Sequence, residues 1–139
     1  MENKAIITVD NLRTYFYTDK RCNKVLSGIS FKLYKGRTLC VVGESGCGKS
    51  VTASSIMQLL PTLSRIESGS ITYHSSEGDI RIDQLEKNGK TMRKLRGSDM
   101  AMILQDPMTA LNPLFTIGWQ ITENLKYHTS LNARERRKK

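Results

Sequence analysis

The chain has 139 residues, 38% hydrophobic and 25% charged, the size and composition of one soluble globular domain, which excludes a disordered or fibrous protein. No run approaches the roughly 18 consecutive apolar residues of a bilayer-spanning helix, and the opening "MENKAIITVD" has no signal-peptide core, so a cytosolic chain is expected. A net charge of +9 points to acidic partners, but the positives are gathered in "KNGKTMRKLR" and the terminal "RERRKK", with no interleaved aromatics of the kind that stack on single-stranded nucleic acid. These clusters read as solvated helix faces or as groups lying near phosphate or lipid.

In chain order, "AIITVDNLRTYFYT" and "VLSGISFKLYKG" carry β-branched and aromatic residues in partial alternation and predict two antiparallel strands, joined by the polar turn "DKRCNK". "RTLCVV" is a short continuous apolar run, the pattern of a strand covered on both faces, and "KSVTASSIMQLL" has helical length before Pro61. "GSITYH" and "DIRID" predict short strands, "KTMRKLR" one or two helical turns, and "DMAMILQ" another buried strand. The two prolines of "DPMTALNP" restrict that stretch to loop or turn geometry. Beyond it Leu114, Ile117, Ile121 and Leu125 recur at helical spacing, and the chain ends in a charged helical segment. Cys22, Cys40 and Cys47 are an odd number without metal-type spacing and are expected to be free thiols.

Between the predicted strand and helix lies "GESGCGKS", residues 43–50, which satisfies GxxxxGK[ST]. Phosphate is bound where successive backbone N–H groups turn inward at the positive end of a helix, and side chains would obstruct that approach. Gly43, Gly46 and Gly48 supply the backbone freedom, and Glu44, Ser45, Cys47 and Val51 complete the cradle around them. Lys49 can set its ammonium between the β- and γ-phosphates, and the Ser50 hydroxyl suits Mg²⁺. The bland alternative is a glycine-rich turn with an ordinary surface lysine; eight matching positions and both flanking elements weigh against it. Cys47 lies inside the loop and reads either as a small residue filling a tight turn or as a thiol whose alkylation would block nucleotide binding.

The pairing of "GESGCGKSVTASSIMQLLP" with "RGSDMAMILQDPMTALNPLFTIGWQI" resembles the ATP-binding subunits of ABC transporters, specifically dipeptide and oligopeptide importers, over essentially the whole chain. The resemblance implies an α/β fold: a P-loop NTPase core of ABC type with an N-terminal antiparallel β subdomain, incomplete at its C-terminus. Residues 1–110 would form that part of the core, and 111–139 the start of a helical subdomain. It further implies ATP and Mg²⁺ as ligands, with Gln105 as the Q-loop glutamine approaching the metal and the attacking water, and Phe16 stacking on the adenine, flanked by Tyr15 and Tyr17. The implied partners are transmembrane permease subunits and a second ATP-binding subunit, the chain lying peripherally on the cytoplasmic face of the membrane, with no nucleic acid expected.

An LSGGQ-type signature, a Walker B strand with its catalytic glutamate and a switch histidine do not occur in these residues; His74 and His128 stand in the wrong contexts. The reading is therefore of the leading part of a subunit, with hydrolysis near background for this polypeptide alone and with "TLCVV" and "MAMIL" left exposed. Two alternatives stand beside it: a non-hydrolysing nucleotide-binding remnant, and a nucleic-acid-associated ABC ATPase, favoured by the net charge.

Overall fold

The computed structural model describes residues 4–19, 21–104 and 111–136, apart from the side chains of Asn124 and His128. The chain divides into two compact units, Met1–Met92 and Arg93–Lys139.

The first unit is built on a four-stranded antiparallel sheet of order β2-β1-β3-β4, formed by β1 (Ala5–Thr18), β2 (Arg21–Tyr34), β3 (Ser64–His74) and β4 (Asp79–Arg81). Ile7 and Val9 are buried along one half of β1 and Leu12 and Thr14 along the other; the switch from odd to even positions comes from a bulge. Asn11 sits in it with a φ of 45°, and the register of β1 shifts there against both neighbours. Gly69 of β3 lies opposite, with a φ of +93°; a Cβ there would meet the Asn11 carbonyl oxygen at 2.4 Å and the Leu12 Cα at 2.6 Å. Ile71, Leu26 and Ile82 complete the buried set around this centre.

Helix α1 (Lys49–Ile56) lies on the core side of the sheet, where its Ser55 hydroxyl meets that of Thr14 at 3.0 Å, both fully buried. The hydrophobic run predicted a helix reaching Leu60, yet α1 stops at Ile56. Gln58 takes the left-handed conformation at φ 52°, and the Leu59 and Gln58 amides donate to the Ser54 and Ser55 carbonyls. That is a Schellman closure in which glutamine replaces the usual glycine. The Gln58 side chain donates to the Ile82 carbonyl at 2.8 Å and holds the turn against the 3-10 segment Ile82–Gln84.

That 3-10 segment carries Asp83, which extends the sheet beyond the short β4. The last β3–β4 pair is Thr72 with Arg81, and the amide of Ile71 donates instead to the Asp83 carboxylate at 2.8 Å. Arg81 adds a two-point pair at 3.0 and 2.8 Å. Burial alone would raise the Asp83 pKa; the Arg81 guanidinium and the Ile71 amide outweigh it and hold the carboxyl below its ordinary value. The folded pKa therefore lies below the unfolded one, so this stabilisation is complete above about pH 4 and is lost as pH falls through the folded value. Wild type should lose stability between pH 5 and pH 3, measured by urea midpoints, more steeply than Asp83→Asn, which keeps an acceptor but no charge. Equal slopes would exclude Asp83 as a source of the acid sensitivity.

Two expected strands do not form. Residues 37–44 are without regular structure, with Leu39, Val41 and Val42 exposed to 43, 52 and 91%. Residues 101–104 are likewise irregular, and Ile103 is 98% exposed. A continuous apolar run becomes a strand only when neighbours pair both its edges and cover both its faces, and among the described residues neither run has them. Cys40 shares this exposure, and all three cysteines are free.

Helix α2 (Lys90–Ser98) buries Met92 and Leu95. In the second unit α3 (Ile117–His128) begins at Thr116, whose hydroxyl accepts the Trp119 amide at 3.3 Å, and a single turn, α4 (Ala133–Arg136), follows. Leu114 therefore precedes the helix expected to contain it, and Ile117 and Ile121 are 60 and 64% exposed. The preceding turn is bound to α3 by Gln120, which exchanges two hydrogen bonds with the Asn112 backbone and donates to the Phe115 carbonyl. Phe115 also stacks on Trp119, with ring centroids 4.5 Å apart.

Candidate phosphate-binding loop

The segment 43–51 runs from the irregular apolar stretch into the first turn of α1. Gly46 and Gly48 have φ of +82° and +98°, the left-handed region that glycine enters without penalty. Space as well as angle dictates Gly48, since a Cβ there would meet Leu26 Cδ2 at 2.8 Å and the Val25 carbonyl oxygen at 3.3 Å. The backbone at the mouth of α1 is thus pressed against β2. Gly43 is tight for a different reason: its Cβ would fall 2.6 Å from Cys47 Sγ.

Helix α1 is fixed from behind by hydroxyl groups. Thr52 donates its side chain and its amide to the Gly48 carbonyl at 3.0 and 2.9 Å, and Ser55 donates to the Val51 carbonyl while meeting Thr14. At the front, Gly48 offers no side-chain cap and the first turn holds no acid. The N–H groups that begin α1 therefore keep the positive end of the helix unneutralised and directed at the loop. Lys49 folds over this opening: its ammonium donates to the Gly43 and Glu44 carbonyls at 2.7 and 2.6 Å and lies 3.7 Å from Cys47 Sγ. Glu44 and Ser45 are exposed on the loop, and Val51 is half-buried in the first turn. Glycine backbone, helix terminus and ammonium converge as a polyanion would require.

Ser50 stands in the same first turn, exposed, with no hydrogen-bond partner for its hydroxyl among the described residues. A hard, uncommitted oxygen beside a phosphate cradle fits the ligand preference of Mg²⁺. The other residue expected at the metal, Gln105, lies outside the described residues.

Phe16 is half-buried near the end of β1. Strand alternation puts it on the face of Thr14, the face against which α1 lies, because β1 pairs with β3 in unbroken register from Thr14 to Phe16. Tyr15 and Tyr17 point the other way and are already engaged. Lys24 lies 5.8 Å from the centre of the Tyr15 ring, and the Tyr17 hydroxyl donates to Glu67 at 2.5 Å with Arg65 over its ring at 4.6 Å. The hydrogen bond to Glu67 raises the Tyr17 pKa, and the bonds from Tyr17 and Arg65 lower that of Glu67. His74 is also occupied, between Thr8 at 2.9 Å and Asp79 at 2.8 Å.

Sequence reasoning did not single out Thr14, Ser55, Val25 or Leu26, which hold the loop in place. The period-two position of Thr14 relative to Phe16 was the available signal for the first. Nothing local marks the others, because their contacts, Leu26 and Val25 with Gly48 and Ser55 with Thr14, join residues far apart in sequence.

The ABC transporter family profile matches residues 26–138. The chain is 44% identical over 136 residues to the dipeptide transport ATP-binding protein DppD of Bacillus subtilis, covering 97% of this chain and 39% of that protein. It is 39% identical to the oligopeptide transport ATP-binding protein AppD of the same organism, covering 97 and 40%. To the glutathione import ATP-binding protein GsiA of Escherichia coli it is 40% identical, covering 94 and 21%. The chain thus spans about two-fifths of the length of the Bacillus relatives and about a fifth of GsiA. Among solved structures it superposes on the ABC transporter cassette MJ0796, described as dimeric, with a TM-score of 0.78 at 20% identity over 95% of this chain and 53% of that one. A second structure of MJ0796, in a post-hydrolysis state with ADP and phosphate, gives 0.76 at 19% identity over the same shares. With a GxxxxGK[ST] loop at the head of α1, a fold shared with ATP-binding cassettes and a family match over most of its length, the chain belongs to the ABC transporter family.

Proposed function

We propose that this chain is the ATP-binding part of an ABC importer subunit for di- or oligopeptides or related solutes, in which ATP binding and hydrolysis are coupled to transport. The observation that carries the reading is the loop itself: Gly48 wedged beneath Leu26 and Lys49 arched over the Gly43 and Glu44 carbonyls at the open end of α1. Relatives named for dipeptide, oligopeptide and glutathione transport supply the solute class.

In this reading the backbone of residues 43–51 wraps the β- and γ-phosphates, and Lys49 moves its ammonium from the loop carbonyls toward them. Phe16, on the helix side of the sheet, is the adenine platform, since Tyr15 and Tyr17 are committed on the other face. Ser50, together with Gln105, would hold Mg²⁺, which when bound shields the phosphate charge during transfer. Residues 1–110 are the N-terminal part of the nucleotide-binding core and 111–139 the beginning of the helical subdomain. The partners are permease subunits and a second ATP-binding subunit, with the chain peripheral on the cytoplasmic side of the membrane; no helix of the described residues is long and apolar enough to cross one.

Equilibrium titration with a fluorescent ATP analogue tests the site. Binding is expected for the wild-type chain and a loss of about 100-fold or more for Lys49→Ala, because charge-assisted bonds to phosphate are among the strongest polar contacts a site can lose. Binding that survives Lys49→Ala unchanged would reduce the loop to a structural turn.

A further inference from the structure

We infer that the outer face of α2 is a docking surface for the anionic headgroups of a phospholipid bilayer. Residues 87–98 contain five cationic side chains and no acidic one. Within α2, Lys90, Arg93 and Lys94 are all exposed and, at spacings of three and four, lie on one side of the helix, while the buried Met92 and Leu95 lie on the other. Gly97 continues the cationic face by one further turn and leaves it without a protruding side chain. The helix is therefore already seated by its apolar side, and it turns a flat, basic side to its surroundings.

Folding does not account for this placement. Lys90 opens the helix with no acid in the first turn, the end at which the helix dipole disfavours a cation. Lys90 also stands at i,i+3 and i,i+4 to Arg93 and Lys94, like-charge spacings that oppose helix formation. None of the three pairs with a carboxylate among the described residues. An anionic plane would relieve all of these repulsions together, and basic clusters on amphipathic helices are attracted to acidic lipid in this manner. The choice of lipid over nucleic acid rests on the absence of aromatic side chains anywhere in residues 87–98, which leaves no platform for bases, and on membership of a transporter family. The inference is independent of nucleotide binding.

The test is co-sedimentation of the 139-residue chain, without nucleotide, with vesicles of phosphatidylcholine alone or containing about one-third phosphatidylglycerol. We expect binding to the acidic vesicles only, weakening as salt is raised. The triple variant Lys90→Gln, Arg93→Gln, Lys94→Gln should bind about 100-fold more weakly, from roughly a factor of five for each cation at a bilayer surface. A control with the same charge change, Arg137→Gln, Lys138→Gln, Lys139→Gln, should lose much less. Three results overturn the inference: no preference for acidic vesicles, equal losses in the two triples, or α2-dependent binding to a nucleic-acid duplex without binding to vesicles.

Discussion

Gly69→Ala should destabilise the sheet-bearing unit by about 3–5 kcal/mol, a large share of the about 5–15 kcal/mol that small domains hold in all. Two costs combine. At φ +93° any L side chain is strained, and the new methyl carbon would lie 2.4 Å from the Asn11 carbonyl oxygen and 2.6 Å from Leu12 Cα. Those atoms belong to the backbone of the β1 bulge, so no rotamer change relieves the overlap; β1 and β3 must separate at the centre of the core, beside the buried Leu12 and Ile71. Gly78→Ala isolates the first cost, because Gly78 has a φ of +133° but nothing within 4 Å of its would-be Cβ. Urea midpoints should place Gly78→Ala about 1–2 kcal/mol below wild type and Gly69→Ala well beneath it. Similar values for the two would show that the close approach of β1 and β3 carries no energy.

The same bulge explains which parts of the fold were legible in the amino-acid sequence. The hairpin of β1 and β2 was visible because alternation and β-branching act locally, yet the polar residues Arg21–Lys24 also join β2, and the polar stretch Ser64–Ser68 joins β3. These are recruited by pairing with β1, a nonlocal cause with no signature of its own. "TLCVV" and "MAMIL" failed in the opposite sense. Their apolar composition is local, but a two-faced strand is made by its neighbours, and among the described residues Val42 and Ile103 have none and are exposed. Helix α1 ended early because Gln58, a residue with no reputation as a helix stop, could enter the left-handed region while its side chain held the Ile82 carbonyl.

The candidate site was more legible than the fold around it, since a phosphate cradle depends on consecutive backbone groups and its chemistry is compressed into eight residues. Phe16 was chosen over its neighbours Tyr15 and Tyr17 through the family resemblance alone; the structure adds that Phe16 shares the face of Thr14 while Tyr17 is tied to Glu67 and Arg65. The basic run in α2 was equally visible as composition, but its separation from Met92 and Leu95 onto an opposite face is a property of the helix.

Gly48→Ala joins the two levels, because the same atom governs the seating of α1 and the shape of the loop. The added methyl at φ +98° would meet Leu26 Cδ2 at 2.8 Å and the Val25 carbonyl oxygen at 3.3 Å. Either the Leu26 side chain yields or the start of α1 lifts from β2, carrying the Lys49, Ser50 and Val51 amides with it. Catalytic and binding groups tolerate little displacement, so the variant should lose ATP-analogue affinity by about 100-fold while costing only about 1–3 kcal/mol of stability. A double-mutant cycle with Leu26→Ala apportions the loss. Removing the Leu26 side chain empties the space that the methyl would enter, and the Gly48→Ala penalty on binding should shrink by about tenfold in that background, leaving the part due to φ. Gly46→Ala is the companion case: its φ is +82° and nothing lies within 4 Å, so its penalty should not depend on Leu26 at all. If the Gly48→Ala loss were also the same with and without Leu26, contact with β2 would have no part in shaping the loop, and backbone angle alone would explain the glycine.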